Sequence, residues 1–271
     1  SDDSSFHKNQ PNEFKSFIEN AAFFCGHNIL AHDLIYLQKY FGIDNWGLDR
    51  AIDTLLFSPL LFPQKPYHHL LKDDKLQIDE LNNPFNDSIK AKHLFFDEAE
   101  AFLKLDDEFK EILYLLLSEQ TGFGNFFRYL NYTASSGKER LQDIIRNRFQ
   151  GKICNESDLH SFIHTSPIAL AYSLALLNCN DRYSITPPWV LKNHPDVERM
   201  IFLMRNNPCV KGCEYCKIAL DANIALKKYF GFSGFRTYGS EPLQEDAVNA
   251  AIQGESILAV FPTGGGKSIT F

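Results

Sequence analysis

The chain has no run of 18 apolar residues, which excludes a membrane-spanning helix of ordinary length. Its opening, SDDSSFHKNQPNEF, lacks the apolar stretch of a signal peptide. It also lacks a basic excess: 27 Lys and Arg face 34 Asp and Glu, for a net charge of -7. That excludes a uniformly basic surface, but a local groove for nucleic acid remains compatible with it, because metal-dependent nucleases collect carboxylates. Cysteine is scarce. There are six, three of them within eight residues, which argues for a metal cluster in a reducing compartment rather than a disulfide framework. A cytoplasmic protein with no membrane partner is expected. Internal repeats and low-complexity segments are absent. What remains is a chain of 271 residues, 44% apolar, with 24 phenylalanines mostly at helix or strand spacing. One large or two modest domains fit that length.

Hydrophobic periodicity predicts alternating elements at the front: a helix over 13–20, a buried strand over 21–25, a helix over 32–41 and a strand-like or short helical run over 51–57. Ser58 to Pro66 carries three prolines and reads as a loop, and Tyr67 to Lys72 as a short helix. A helix follows from about Asn86 to Leu105. From 106 to 178 the patterns are helical, including 109–117, 141–149 and a long one over 161–177, and further helices are expected over 195–204 and 221–230. The expected class is mixed α/β, with an all-α connector in the middle.

At the C-terminal end, an apolar stretch from Ser256 to Phe261 reads as a strand running into Pro262-Thr263-Gly264-Gly265-Gly266-Lys267-Ser268. Glycines let the backbone wrap with its N–H groups turned toward an anion. The lysine brings charge to the phosphates of ATP and the serine hydroxyl binds Mg²⁺. A helix is expected to start at Lys267. This form of the loop resembles that of superfamily 2 helicases, and the RecQ family in particular. Gly231-Phe232, Phe235-Arg236, Gln244 and a helix over 245–253 resemble the RecQ entry motif, with Gln244 lying 23 residues before Lys267. The resemblance implies that Arg236 lies near the adenine and that Gln244 reads its edge, a task suited to an amide with both donor and acceptor. Seven residues, TYGSEPL, separate Arg236 from Gln244, a longer gap than the family's.

The front carries a second constellation, Cys25-Gly26-His27-Asn28-Ile29-Leu30-Ala31-His32-Asp33. A strand exits into Gly-His-Asn, and an aspartate follows at the head of a helix. This resembles the second motif of DnaQ-like (DEDD) 3′–5′ exonucleases, with His32 where the family has phenylalanine. Ala51-Ile52-Asp53-Thr54 resembles the next strand, and Asn82-Asn83-Pro84-Phe85-Asn86-Asp87 the third motif. The resemblance implies a catalytic group of Asn28, Asp33 and Asp87, with the two aspartates holding Mg²⁺. Two-metal phosphodiester hydrolysis needs several carboxylates around ions about 4 Å apart. The family's Asp-x-Glu strand does not precede residue 33, and Asn82 or Asn83 stands where a histidine or tyrosine base is expected. His93 or His69 is the remaining candidate base.

Cys209-x₃-Cys213-x₂-Cys216 is the third feature. Three thiolates at this spacing converge on one ion, and Zn²⁺ takes four tetrahedral ligands. Cys179 or His194 is the expected fourth, with Cys25 and Cys154 outside the set. An iron–sulfur cluster stays open beside zinc.

The expected organisation is a partial exonuclease domain of RNase H-like fold over 1–105, a helical connector over 106–205, a cysteine knot and linker helix over 206–225, and the start of a RecA-like helicase domain over 226–271. Ser1 and the stop at Phe271 read as the ends of a fragment, inactive by itself. The resemblances imply an ATP-dependent helicase with an exonuclease-like front end, acting on single-stranded or forked DNA in repair or recombination. Two alternatives stand beside it: a nuclease fold that has lost its chemistry and positions DNA, or another P-loop ATPase with an unrelated front.

Overall fold

A β–α–β unit follows the first helix. In the computed structural model, which describes residues 5–6, 8, 10–68, 70, 84–179 and 185–270, helix α1 (Pro11–Phe17) leads to strand β1 (Phe24–Gly26), helix α2 (Asp33–Phe41) and strand β2 (Ala51–Asp53). The strands pair in parallel, Phe24 with Ala51 and Gly26 with Asp53. All three β2 residues are buried, as a parallel strand covered on both faces requires. Gly42 ends α2 in the left-handed conformation that favours glycine. Ile29, Leu34 and Ala51 form a small core of their own beneath Phe24 and Trp46.

Strand β2 passes directly into α3 (Thr54–Leu61), which runs through Pro59 into the segment expected to be a loop. Burial of Phe57, Leu60 and Leu61 outweighs the cost of the interior proline. The short helix expected over Tyr67 to Lys72 falls mostly outside the described residues, and His69, Asn82 and Asn83 lie outside them. Helix α4 (Pro84–Lys104) then packs on β1 and α3.

The connector is helical throughout its described residues: α5 (Asp107–Leu117), α6 (Gly124–Tyr129), α7 (Leu141–Arg148), α8 (Leu159–Thr165), α9 (Pro167–Asn178), α10 (Pro188–Asn193) and α11 (Asp196–Arg205). The single helix expected over 161–177 is two. Ser166, held non-helical before Pro167, breaks it, and the proline opens the next. Helix α9 is buried on nearly every face, packing on α3, α5, α8 and α11. One hydrophobic core runs from Ile52 and Phe57 through the connector to Met204. Phenylalanines dominate it. Phe57 stacks on Phe126 at 4.0 Å, and Phe95, Phe102, Phe123 and Phe127 meet them edge-on. Polar ties cross the same seam: Tyr172 donates its hydroxyl to the Leu56 carbonyl, and the Asn125 amide donates to the carbonyls of Leu48 and Ala51.

Beyond α11 come α12 (Glu214–Ala219), α13 (Ala222–Phe230) and α14 (Leu243–Ile252). The protein is therefore mixed α/β but mostly helical, with β1 and β2 the only strands among the described residues. No described helix is long and apolar enough to cross a membrane.

Candidate functional site

At the front, Asp53 organises the turn that the sequence singled out. Its buried carboxylate accepts from the backbone N–H groups of Asn28 (2.8 Å), Leu30 (3.1 Å) and Leu55 (3.0 Å). The last bond caps α3. Asn28 takes a left-handed backbone (φ 62°), a conformation asparagine tolerates better than most residues. It thus holds a turn position, with its N–H spent on Asp53. His27 Nδ1 meets the Thr54 hydroxyl at 3.0 Å. Asp33 opens α2 on the surface, paired with His32 at 3.5 Å. Asp87 sits in the first turn of α4, and His93 is exposed further along it.

Two acidic residues missed in the sequence lie deeper. Glu98, on α4, is fully buried, and neither carboxylate oxygen has a hydrogen-bond partner among the described residues. Burial pushes its pKa well above the usual carboxylate range, with the Asp53 and Asp97 charges adding to the rise and Lys65 opposing it. Burial also raises Asp53, against its three N–H bonds, and the charge of Asp33 raises it further. Cys25 is pushed up to about 11 by burial and by Glu98. The sequence did hold a clue to Glu98, which shares the helical stripe of Ala91, Phe95 and Phe102, all core residues. Asp53 reads as an N-cap only once α3 is known. Asp33 and Asp87 do not belong to any group of three or more possible ligands converging on one point among the described residues.

The nucleotide-loop residues do converge. Gln244, at the head of α14 and only 2% exposed, donates to the carbonyls of Gly265 (2.9 Å) and Gly266 (3.3 Å). Its own carbonyl accepts from the Arg236 N–H at 2.8 Å. The Arg236 guanidinium donates to the Gly264 carbonyl at 3.0 Å, and the Tyr238 hydroxyl to that of Gly265. The seven-residue gap is absorbed by a tight reversal closed between Tyr238 and Glu241, so its length does not part Arg236 from Gln244. Tyr238 went unnoticed in the sequence. The glycines are needed. Gly264 and Gly266 have φ of 76° and 70°, and a Cβ on Gly265 would meet the Pro262 carbonyl at 2.8 Å. Thr263, Lys267 and Ser268 are exposed.

Two expectations here are corrected. Ser256–Phe261 is not a strand, and Leu258 and Val260 are largely exposed; no described strand lies beside it to complete backbone pairing. The expected helix at Lys267 is a single 3₁₀ turn, Lys267–Ile269. Both ends of the Gln244 amide bond protein backbone.

The cysteines form the tightest cluster. The Sγ atoms of Cys154, Cys209, Cys213 and Cys216 all lie within 4.8 Å of one another, and four such thiols can hold a metal ion. The fourth member is Cys154, from the loop after α7. Cys179 and His194, the expected candidates, lie elsewhere: Cys179 follows α9, and His194 packs its ring on Tyr172 and Trp189. Burial raises the Cys154 and Cys216 thiols. Burial acts on Cys213 as well, but the N–H groups of Cys216 and Asn155 and the neighbouring thiols outweigh it and lower Cys213 to about 6. One thiolate is thereby available near neutral pH, as metal capture requires.

No family model, curated protein or solved structure matches this chain.

Proposed function

We propose that the chain carries the nucleotide-binding opening of a RecQ-like, ATP-dependent DNA helicase, set behind a DnaQ-like exonuclease fold. The observation that carries this reading is the convergence of Arg236, Gln244 and Tyr238 on the backbone of Gly264–Gly266. Residues 21 to 28 positions apart meet on one glycine turn whose next residues are Lys267 and Ser268. Lys267 would hold the β- and γ-phosphates of ATP, and Ser268 the Mg²⁺. The substrate is single-stranded or forked DNA, and the four cysteines add a metal centre to the connector. Replacing Lys267 by alanine in the complete protein is expected to abolish DNA-stimulated ATP hydrolysis. Undiminished turnover would remove the loop from the reaction.

A second reading applies to the front end: a nuclease fold that positions DNA without cutting it. What favours it is the exposure of Asp33, its separation from any converging set of ligands, and the turn role of Asn28.

A further inference from the structure

We propose that Cys154, Cys209, Cys213 and Cys216 bind a single zinc ion, and that this ion clamps α12 and α13 to the helical bundle. The sulfur geometry selects a mononuclear site. Thiolates placed tetrahedrally around zinc at ~2.3 Å stand about 3.8 Å from one another. Cys154 Sγ and Cys213 Sγ are 3.7 Å apart, and no pair of the four exceeds 4.8 Å. An iron–sulfur cluster divides its four thiolates among two or four irons and so spreads them around its own body. Here the sulfurs face one point with no room for one. They are also too far apart for disulfides, whose sulfurs bond at about 2.05 Å. Four protein sulfurs close the coordination sphere, so the ion is structural and holds no water for catalysis.

The surroundings suit a thiolate-rich centre. The Cys213 N–H donates to Cys209 Sγ at 3.1 Å, and the Glu156 N–H to Cys154 Sγ at 3.4 Å. Such donors hold ligands in place and spread their negative charge. Lys211, between the ligands in sequence, forms an exposed ion pair with Glu156 at 2.9 Å. It adds a cation beside a zinc–tetrathiolate of net negative charge.

The topology gives the ion its task. Cys154 belongs to the bundle: its N–H donates to the Met204 carbonyl at 2.6 Å. Cys213 caps α12 and Cys216 lies within it. The large core ends at Met204, and no residue of α12 or α13 belongs to it. Of these two helices only Cys216, Ala222 and Leu226 are buried, outside the large core, and the Tyr215 hydroxyl donates to the Arg205 carbonyl at 3.4 Å; the ion adds a coordinate tie to the bundle. Helix α13 packs in turn on α12 and α14, and Asn223 bonds Glu245 near the head of α14, one residue from Gln244. The clamp therefore sets where the glycine loop stands relative to the bundle. It holds whether or not that loop binds ATP.

The test is metal analysis of the intact protein together with hydrogen exchange. About one zinc per chain is expected, with no iron and no visible sulfide-to-iron absorption. Cys154→Ser should lose at least most of the zinc, whereas Cys179→Ser should keep it. Stripping the parent protein with a chelator should raise exchange over 206–230 while α5 and α9 keep their protection, and adding Zn²⁺ should restore it. Bound iron, free thiols without metal, or zinc loss in Cys179→Ser equal to that in Cys154→Ser would each overturn the site. Unchanged exchange after zinc removal would overturn the clamp. The chelation arm uses unmutated protein, so a Cys154 variant that fails to fold leaves the proposal exposed to refutation.

Discussion

Replacing Glu98 by glutamine should make the protein more stable at neutral and alkaline pH and change little in mild acid. Glu98 is fully buried on α4 with neither oxygen hydrogen-bonded among the described residues, and it feels the charge of Asp53. Its proton is held to a pH well above the usual value of 4.5. The folded carboxyl therefore binds a proton that the unfolded one has already released. Over the pH range between those two values, the native state holds more protons and stability falls as pH rises. Each unit of the shift is worth ~1.4 kcal/mol, which at this chain length moves Tm about 3–6 °C. Near pH 4.5 and below, parent and variant both present a neutral, nearly isosteric side chain, so their melting temperatures should lie close together. As pH is raised toward 8 the parent should lose stability relative to Glu98→Gln. Asp53 titrates with the same sign but is present in both proteins, so the difference between the curves isolates Glu98 and its coupling to Asp53. Melting by circular dichroism from pH 4.5 to 8.5 reads the effect. Parallel curves, or a variant that is less stable at pH 8, would show that Glu98 does not carry a buried, unpartnered charge.

Gln244→Ala removes the bonds to Arg236, Gly265 and Gly266; if the loop binds ATP, losing ~1 kcal/mol for each should weaken its affinity by up to about 100-fold. Titration with a fluorescent ATP analogue measures it, and unchanged affinity would deny the loop-holding role. If the front end cuts DNA, Asp33→Ala should abolish Mg²⁺-dependent 3′ trimming of a labelled strand; digestion equal to the parent's would place Asp33 outside any active centre.

What the sequence made legible was local. The glycine loop could be read because its constraints lie in adjacent residues, and each glycine proved necessary through its φ or its neighbours. Three of the four clustered cysteines could be read for the same reason, as they share eight residues. Cys154 could not: it lies 59 residues before Cys213, and only the folding of α7 and α11 brings it there. That Ser256–Phe261 has no strand partner among the described residues could not be read either, because an apolar run predicts a strand but says nothing of neighbours to bond with. The break at Ser166 was written in Pro167, yet the unbroken apolar pattern of 161–177 masked it. Glu98 was hidden by the opposite effect, a charged residue where periodicity demanded an apolar one.

The shared core has a consequence for how the molecule comes apart. The β–α–β unit owns only Ile29, Leu34 and Ala51 outright, while Phe57, Leu60, Phe95 and Phe102 belong to a core completed by α5, α6 and α9. Severing the chain between Leu105 and Asp106 would therefore not release a self-sufficient front half. It would bare the aromatic faces of α3 and α4 and leave α9 uncovered on one side. The strands and the helical bundle are bound to melt together, as one cooperative unit, whatever ancestry each half has.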